Sequence, residues 1–397
     1  MKLSKVAYTT PASPIRKLVP FAMDAKKKGV KIYHLNIGDP DIKTPQVMID
    51  FLKKWDKNPI CYPNSRGEKV LLDALGRYYK SIGINDLRDE NLQVTCGGSE
   101  GLFWTFLSTC DPGDEVIVFE PFYANYNGFA TIAKINLVPV ITKIEDNFHL
   151  PDICEIEKKI SKKTKAILIC NPSNPTGTVY SKEELEKLVN LAKKHNIFLI
   201  SDEVYREFAY DGKKAYSLLD FRHVYSDGIV VVDSLSKRYS LCGARLGIII
   251  SYNLEIMDSF LRYAQARLSV GLIDQHMAAE LTKVGKDYFK SVNDEYRERR
   301  DVLYGELSKI KGVVCRKPEG AFYMIVKLPV KDAEDFAKWL LTDFNDNGET
   351  IMVAPAKGFY KTPGLGIDEV RLAYVINQSD LIRSCEILKK ALQKYII

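Results

Sequence analysis

The middle of the chain alternates short β-branched apolar runs with longer segments in which apolar residues recur every three or four positions. Runs of the first kind lie at Asn91–Thr95, Glu115–Phe119, Ala166–Cys170, Ile197–Ser201, Ile229–Asp233 and Leu246–Ser251, and each predicts a strand. Between two of them, Ser181–His195 predicts a helix. Ser181 and Glu184 have capping-box spacing, Leu185, Leu188, Val189 and Ala192 share one face, and the last turn is basic. This alternation is the pattern of a mostly parallel α/β sheet with helices on both faces, a three-layer α/β/α arrangement.

From about Asp287 the texture changes. Longer charged helices are predicted at Asp287–Ile310, Ala333–Asp343 and Leu381–Lys394, with two hairpin-like strands at Ala321–Val326 and Val370–Val375. The first 45 residues show no strand–helix alternation of their own and are expected to join this region. The expected division is a large α/β domain over 46–286 and a smaller α+β domain built from 1–45 and 287–397.

Composition narrows the function classes. The chain has 397 residues, 46% hydrophobic and 27% charged, the usage of an ordinary globular protein with room for large cores. Its net charge of +6 is spread out, and basic stretches such as Lys158–Lys165 read as solvated helix faces, so neither nucleic acid nor a membrane is expected as a partner. Eight cysteines without a CxxC pair suit free thiols in a reducing compartment, hence a cytoplasmic location, and the five histidines have no metal-ligand spacing.

Ligands of open α/β sheets sit where strands end, so the residues after each strand carry the candidate chemistry. Gly97, Gly98 and Ser99 precede a helix predicted at Glu100–Thr109. They are either an anion cradle or only a turn. The rigid loop Asn171–Gly177 (NPSNPTG) follows the third strand. Asp202 follows the fourth, as a helix cap or as a buried charge awaiting a cation. In Asp233–Gly247 (DSLSKRYSLCGARLG), Lys237 lies among Ser234, Ser236 and Arg245. It is a nucleophilic amine or a surface lysine.

Taken together, NIGDPD, NPSNPTG, DEVY, SLSKRYSLCGARLG and the arginine of VRLAY occur in the order seen in the class I and II aminotransferases, and the resemblance runs over nearly the whole chain. It implies the fold-type-I architecture, pyridoxal 5'-phosphate as cofactor, an amino acid and a 2-oxo acid as substrates, and a homodimer with shared sites. Residue by residue, it implies that Lys237 bonds the cofactor and later moves the substrate proton, and that Asp202 pairs with the ring nitrogen. Tyr205 and Asn174 would bond the phenolate oxygen, and Tyr123 would stack on the ring. Ser234, Ser236, Arg245, Gly98 and Ser99 would hold the phosphate, with Tyr62 reaching the phosphate of the neighbouring subunit. Arg371 would take the substrate carboxylate, with Gly38 and Asn174 nearby.

Aspartate with 2-oxoglutarate is the expected substrate pair. A carbon–sulfur β-lyase of the same fold is the alternative, and a non-catalytic ligand-sensing module a remote one. Arg267 is a candidate for a second carboxylate, an ordinary salt bridge being the default. The glycine-rich stretch 353–366 is longer than the corresponding loop in many relatives and is expected to border the substrate entrance.

Overall fold

The computed structural model describes residues 1–395. Thirteen strands occur among them: β1 (Lys31–His34), β2 (Leu92–Cys96), β3 (Glu115–Glu120), β4 (Asn136–Ile141), β5 (Thr164–Cys170), β6 (Phe198–Asp202), β7 (Ile229–Ser234), β8 (Leu246–Ile250), β9 (Val314–Cys315), β10 (Tyr323–Lys327), β11 (Glu349–Met352), β12 (Ala354–Pro355) and β13 (Glu369–Ala373). Strands β2 to β8 form one seven-stranded sheet in the order β2-β8-β7-β6-β5-β3-β4. Six run in one direction and β8 alone runs against them, paired antiparallel to both β2 and β7.

All six predicted strands of this sheet form, within a residue or two. Their interior positions alternate between faces: Ile167 and Ile169 belong to one apolar core, Ala166 and Leu168 to the core on the opposite side. The pattern did not predict β4, an edge strand only half buried that carries Pro139, whose missing N–H costs nothing where no further strand pairs. The helix predicted at Ser181–His195 forms as Lys182–His195, with Ser181 and Glu184 making the reciprocal capping bonds.

The glycines after β2 depart from the expected arrangement. Gly97, Gly98 and Ser99 are not a turn ahead of a helix at Glu100; they are the first turn of a helix spanning Gly97–Thr109. First-turn N–H groups have no acceptor within the helix, so this turn presents donors outward whatever residues form it.

The late part of the chain builds a four-stranded antiparallel sheet, β12-β13-β10-β9, against the long helices Lys286–Leu307 and Gln378–Tyr395. The two strands read as hairpin-like are β10 and β13; they pair antiparallel, with Ile325 opposite Arg371. The N-terminal segment is not irregular throughout. A helix (Val19–Lys27) leads into β1, which pairs parallel to β11.

Candidate active site

Parallel strands place their carboxyl ends along one edge of the sheet, and here β2, β5, β6 and β7 do so. The reversal of β8 brings its beginning to that same edge, so Arg245, the residue before it, arrives beside the first turn of the Gly97–Thr109 helix. The two backbones touch. A Cβ on Gly247 would lie 2.3 Å from the carbonyl carbon of Gly97 and 2.5 Å from the nitrogen of Gly98, so only glycine permits the approach.

A cavity of about 150 Å³ opens at this edge. Gly98, Ser99, Ser234, Ser236 and Arg245 line one end; Tyr123, Asn174, Asp202, Tyr205 and Lys237 line the rest, with Leu102, Val204 and Cys242. The Ser234 and Ser236 hydroxyls are 2.9 Å apart. With the helix N-terminus and a guanidinium, that end is a concentration of hydrogen-bond donors suited to an anion.

Asp202 lines the same cavity. It is 4% exposed, and it accepts from the Tyr126 hydroxyl (2.8 Å) and the Val204 N–H (3.4 Å). Burial pushes its carboxyl up to about 6, with Asp233 and Glu203 adding repulsion. The two neighbouring acids are neutralised by arginines. Glu203 pairs with Arg206, and Arg238 Nη2 lies 2.6 Å from Asp233. Burial alone would raise Asp233, but Arg238 and Arg206 outweigh it and hold the carboxyl below its usual range. Asp202 has no such partner among the described residues.

Lys237 lines the cavity from a short helix (Leu235–Arg238), and its Nζ donates to the Gly38 carbonyl at 2.6 Å and lies 3.4 Å from Cys242 Sγ. The loop Asn171–Gly177 is pinned from both sides. Asn171 N–H donates to the Asp202 carbonyl, and the Glu319 and Gly320 N–H groups donate to the Gly177 carbonyl. Asn174 is thereby held with its Oδ1 accepting from Arg371 Nη1 (3.0 Å) and its Nδ2 donating to the Tyr205 hydroxyl (3.5 Å). Burial, then the neighbouring Tyr323, pushes the Tyr205 phenol up; burial raises Tyr123 to about 12.

Arg371 is buried. Its Nη2 donates to the Asn36 carbonyl (2.7 Å), while its Nε has no partner among the described residues. The 353–366 stretch backs this arginine: Phe359 lies under the guanidinium at 5.1 Å, and the buried Glu120 accepts the Lys361 and Thr362 N–H groups.

Two sequence candidates lie elsewhere. Tyr62 is 84% exposed and lines no part of this cavity. Arg267 is engaged in its own chain, its Nη1 2.7 Å from Glu100 and its guanidinium over the Trp104 ring. Sequence reading missed Tyr126, Tyr323 and Cys242; Tyr323 falls in an apolar run and Tyr126 between two asparagines, and neither setting separates a site tyrosine from an ordinary buried one.

The geometry has counterparts among known proteins. The family model for aminotransferase class I and II matches residues 30–365. The aspartate aminotransferase of Pyrococcus horikoshii is 30% identical over 387 residues, covering 96% of this chain and 95% of the relative. That of Thermotoga maritima is 32% identical, covering 91% and 92%. Among solved structures, the alanine aminotransferase from Pyrococcus furiosus superposes with a TM-score of 0.89 at 30% identity, covering 99% of this chain and all of that one. Aspartate aminotransferase from Thermus thermophilus with maleate gives 0.88 at 28%, covering 98% and 100%. The lone acid, the donor-rich end, the lysine that lines the same cavity and a match of this length together make the chain a member of the class I and II aminotransferases.

Proposed function

We propose that this aminotransferase binds pyridoxal 5'-phosphate in the 150 Å³ cavity and moves the amino group of L-aspartate to 2-oxoglutarate, in two half-reactions. The observation that carries the cofactor assignment is Asp202. A buried carboxylate without a cation fits a ring nitrogen that it would keep protonated. The donor-rich end fits the phosphate, through Gly98, Ser99, Ser234, Ser236 and Arg245. When bound, the cofactor supplies a sink for the electron pair left on the substrate α-carbon.

This chain's residues do the rest. Lys237 Nζ would hold the cofactor and, once released by substrate, would take the proton from the substrate α-carbon and deliver that same proton to the cofactor carbon it had left. Tyr205 and Asn174 would bond the cofactor's phenolate oxygen, and Tyr123 would stack against its ring. Arg371 receives the substrate carboxylate; its unpartnered Nε is one of the donors left for it, with Gly38 alongside. In this reading the domain of 46–286 carries the cofactor, while the segments 1–45 and 287–397 contribute Asn36, Gly38 and Arg371.

The exposed Tyr62 suits a homodimer in which it reaches the partner's phosphate site, and free cysteines suit the cytoplasm. No helix among the described residues is long and apolar enough to cross a membrane. Aspartate is the donor named for several of the relatives above. The test adds single amino acids to the loaded enzyme without any 2-oxo acid. Stoichiometric loss of the visible cofactor absorbance with aspartate, reversed by 2-oxoglutarate, is expected. Release of pyruvate and ammonia from cysteine conjugates without that spectral change would make the enzyme a lyase instead.

A further inference from the structure

Four side chains close a circuit between the carboxylate end and the cofactor end of the site. Arg371 donates to Asn174, Asn174 donates to the Tyr205 hydroxyl, and that hydroxyl lies 3.0 Å from the hydroxyl of Tyr323. The Tyr323 ring returns to the start, 4.3 Å from the Arg371 guanidinium. Tyr323 is 3% exposed and stands on β10, paired with Ala373, two residues along the strand from Arg371. The sheet register therefore fixes the ring against the arginine. The site is also cut to fit this tyrosine: a Cβ on Gly38 would lie 1.9 Å from its hydroxyl oxygen, and the Gly38 carbonyl is the acceptor for Lys237.

We propose that Tyr323 is a positioning residue with two separable actions, its ring seating Arg371 and its hydroxyl orienting the proton of Tyr205. The inference rests on the reading that Arg371 takes the substrate carboxylate and Tyr205 faces the cofactor. A phenol oxygen has one proton and two lone pairs. Asn174 Nδ2 donates to Tyr205, so a second donation from Tyr323 fills its acceptor capacity and leaves the Tyr205 proton free for the cofactor's phenolate oxygen. A phenol that accepts two hydrogen bonds is a stronger donor of its own.

Two variants separate the actions. Tyr323→Phe keeps the ring and loses the hydroxyl. It is expected to raise the pH midpoint of the loaded enzyme's visible absorbance by roughly half a unit, because a weakened bond to the phenolate oxygen makes the conjugated nitrogen more basic. KM for aspartate should stay within about twofold. Tyr323→Leu should show the same midpoint shift and in addition a KM about tenfold higher, through the lost ring–guanidinium contact. Circular dichroism of the apoproteins checks folding, and Tyr323→Met, which fills the volume without a π face, carries the Leu expectation if that variant does not fold.

An unmoved midpoint in Tyr323→Phe overturns the hydroxyl's role, and equal KM values for Phe and Leu or Met overturn the ring's. Tyr205→Phe serves as the control. If it moves the midpoint while Tyr323→Phe does not, the proposal alone fails; if Tyr205→Phe leaves it unmoved, the reading beneath the proposal fails.

Discussion

Asp202 and Asp233 stand at the ends of adjacent parallel strands, both buried, yet only Asp233 is met by an arginine, Arg238 at 2.6 Å. The asymmetry has a measurable consequence. With its carboxyl raised to about 6, above the unfolded value near 3.8, Asp202 binds its proton more tightly in the folded chain. The stability that Asp202 contributes to the apoprotein is therefore present below about pH 4, falls as pH rises through 6, and is absent above. Asp202→Asn should make the apoprotein more stable at pH 7 by on the order of 2 kcal/mol in urea unfolding. The same change should lower turnover of the loaded enzyme by about a thousandfold. A variant less stable than the parent at pH 7 would contradict the account of Asp202 as an uncompensated charge.

Gly247→Ala should strike the anion end without touching any charged group. A Cβ there lies within 2.6 Å of three backbone atoms of Gly97 and Gly98, so β8 must retreat from the helix start and take Arg245 with it. We expect a stability loss of about 1–3 kcal/mol. Titration of the apoenzyme with pyridoxal phosphate should show weaker binding, whereas free pyridoxal, which has no phosphate, should be affected far less.

His149 links two parts of the chain. One ring nitrogen meets Glu184 at the start of the Lys182–His195 helix (3.0 Å), the other meets Glu319 just before Gly320 (3.2 Å). These carboxylates push the imidazole up to about 9; Glu319, which burial alone would raise, is drawn down to about 2 by His149 and Lys213. Because the folded value exceeds the unfolded one near 6.5, the contribution is full below pH 6.5 and is lost as pH rises through 9. Thermal midpoints measured from about pH 6 to 10 should fall across that window. His149→Gln should flatten the fall and cost about 1–2 kcal/mol at pH 7.

Shared sites can be counted. A Tyr62→Ala preparation and a Lys237→Ala preparation should each be nearly inactive. After dissociation and remixing, half the dimers are hybrids carrying one intact site of two, so about a quarter of parental activity should return. No recovery on remixing would mean that Tyr62 serves its own chain or none.

Much of this site was legible because the residues concerned occupy strand ends. Continuous apolar runs such as Ala166–Cys170 and Ile229–Asp233 admit few readings, and in a parallel sheet the residues just past such runs must share an edge. The solitary state of Asp202 was not legible. It depends on Arg206 and Arg238 turning to Glu203 and Asp233 instead, a choice made by side-chain packing. Tyr323 escaped notice for a related reason, since its hydroxyl finds Tyr205 across 118 residues and its sequence neighbours read only as a buried strand. The half-exposed β4 lacked the apolar run that reveals the other strands.

The reversed strand β8 divides the site by contact range. Lys237 and Arg245 lie on the connection between two antiparallel neighbours, so local backbone contacts hold that segment together even though Lys237 Nζ also reaches the Gly38 carbonyl, 199 positions away. Arg371, by contrast, owes its seat to Asn36, 335 positions away, and to Asn174, 197 away. Loosening the chain ends in mild denaturant should thus abolish the grip on the substrate carboxylate while the cofactor stays anchored, and the enzyme would go blind to its amino acid before it loses its colour.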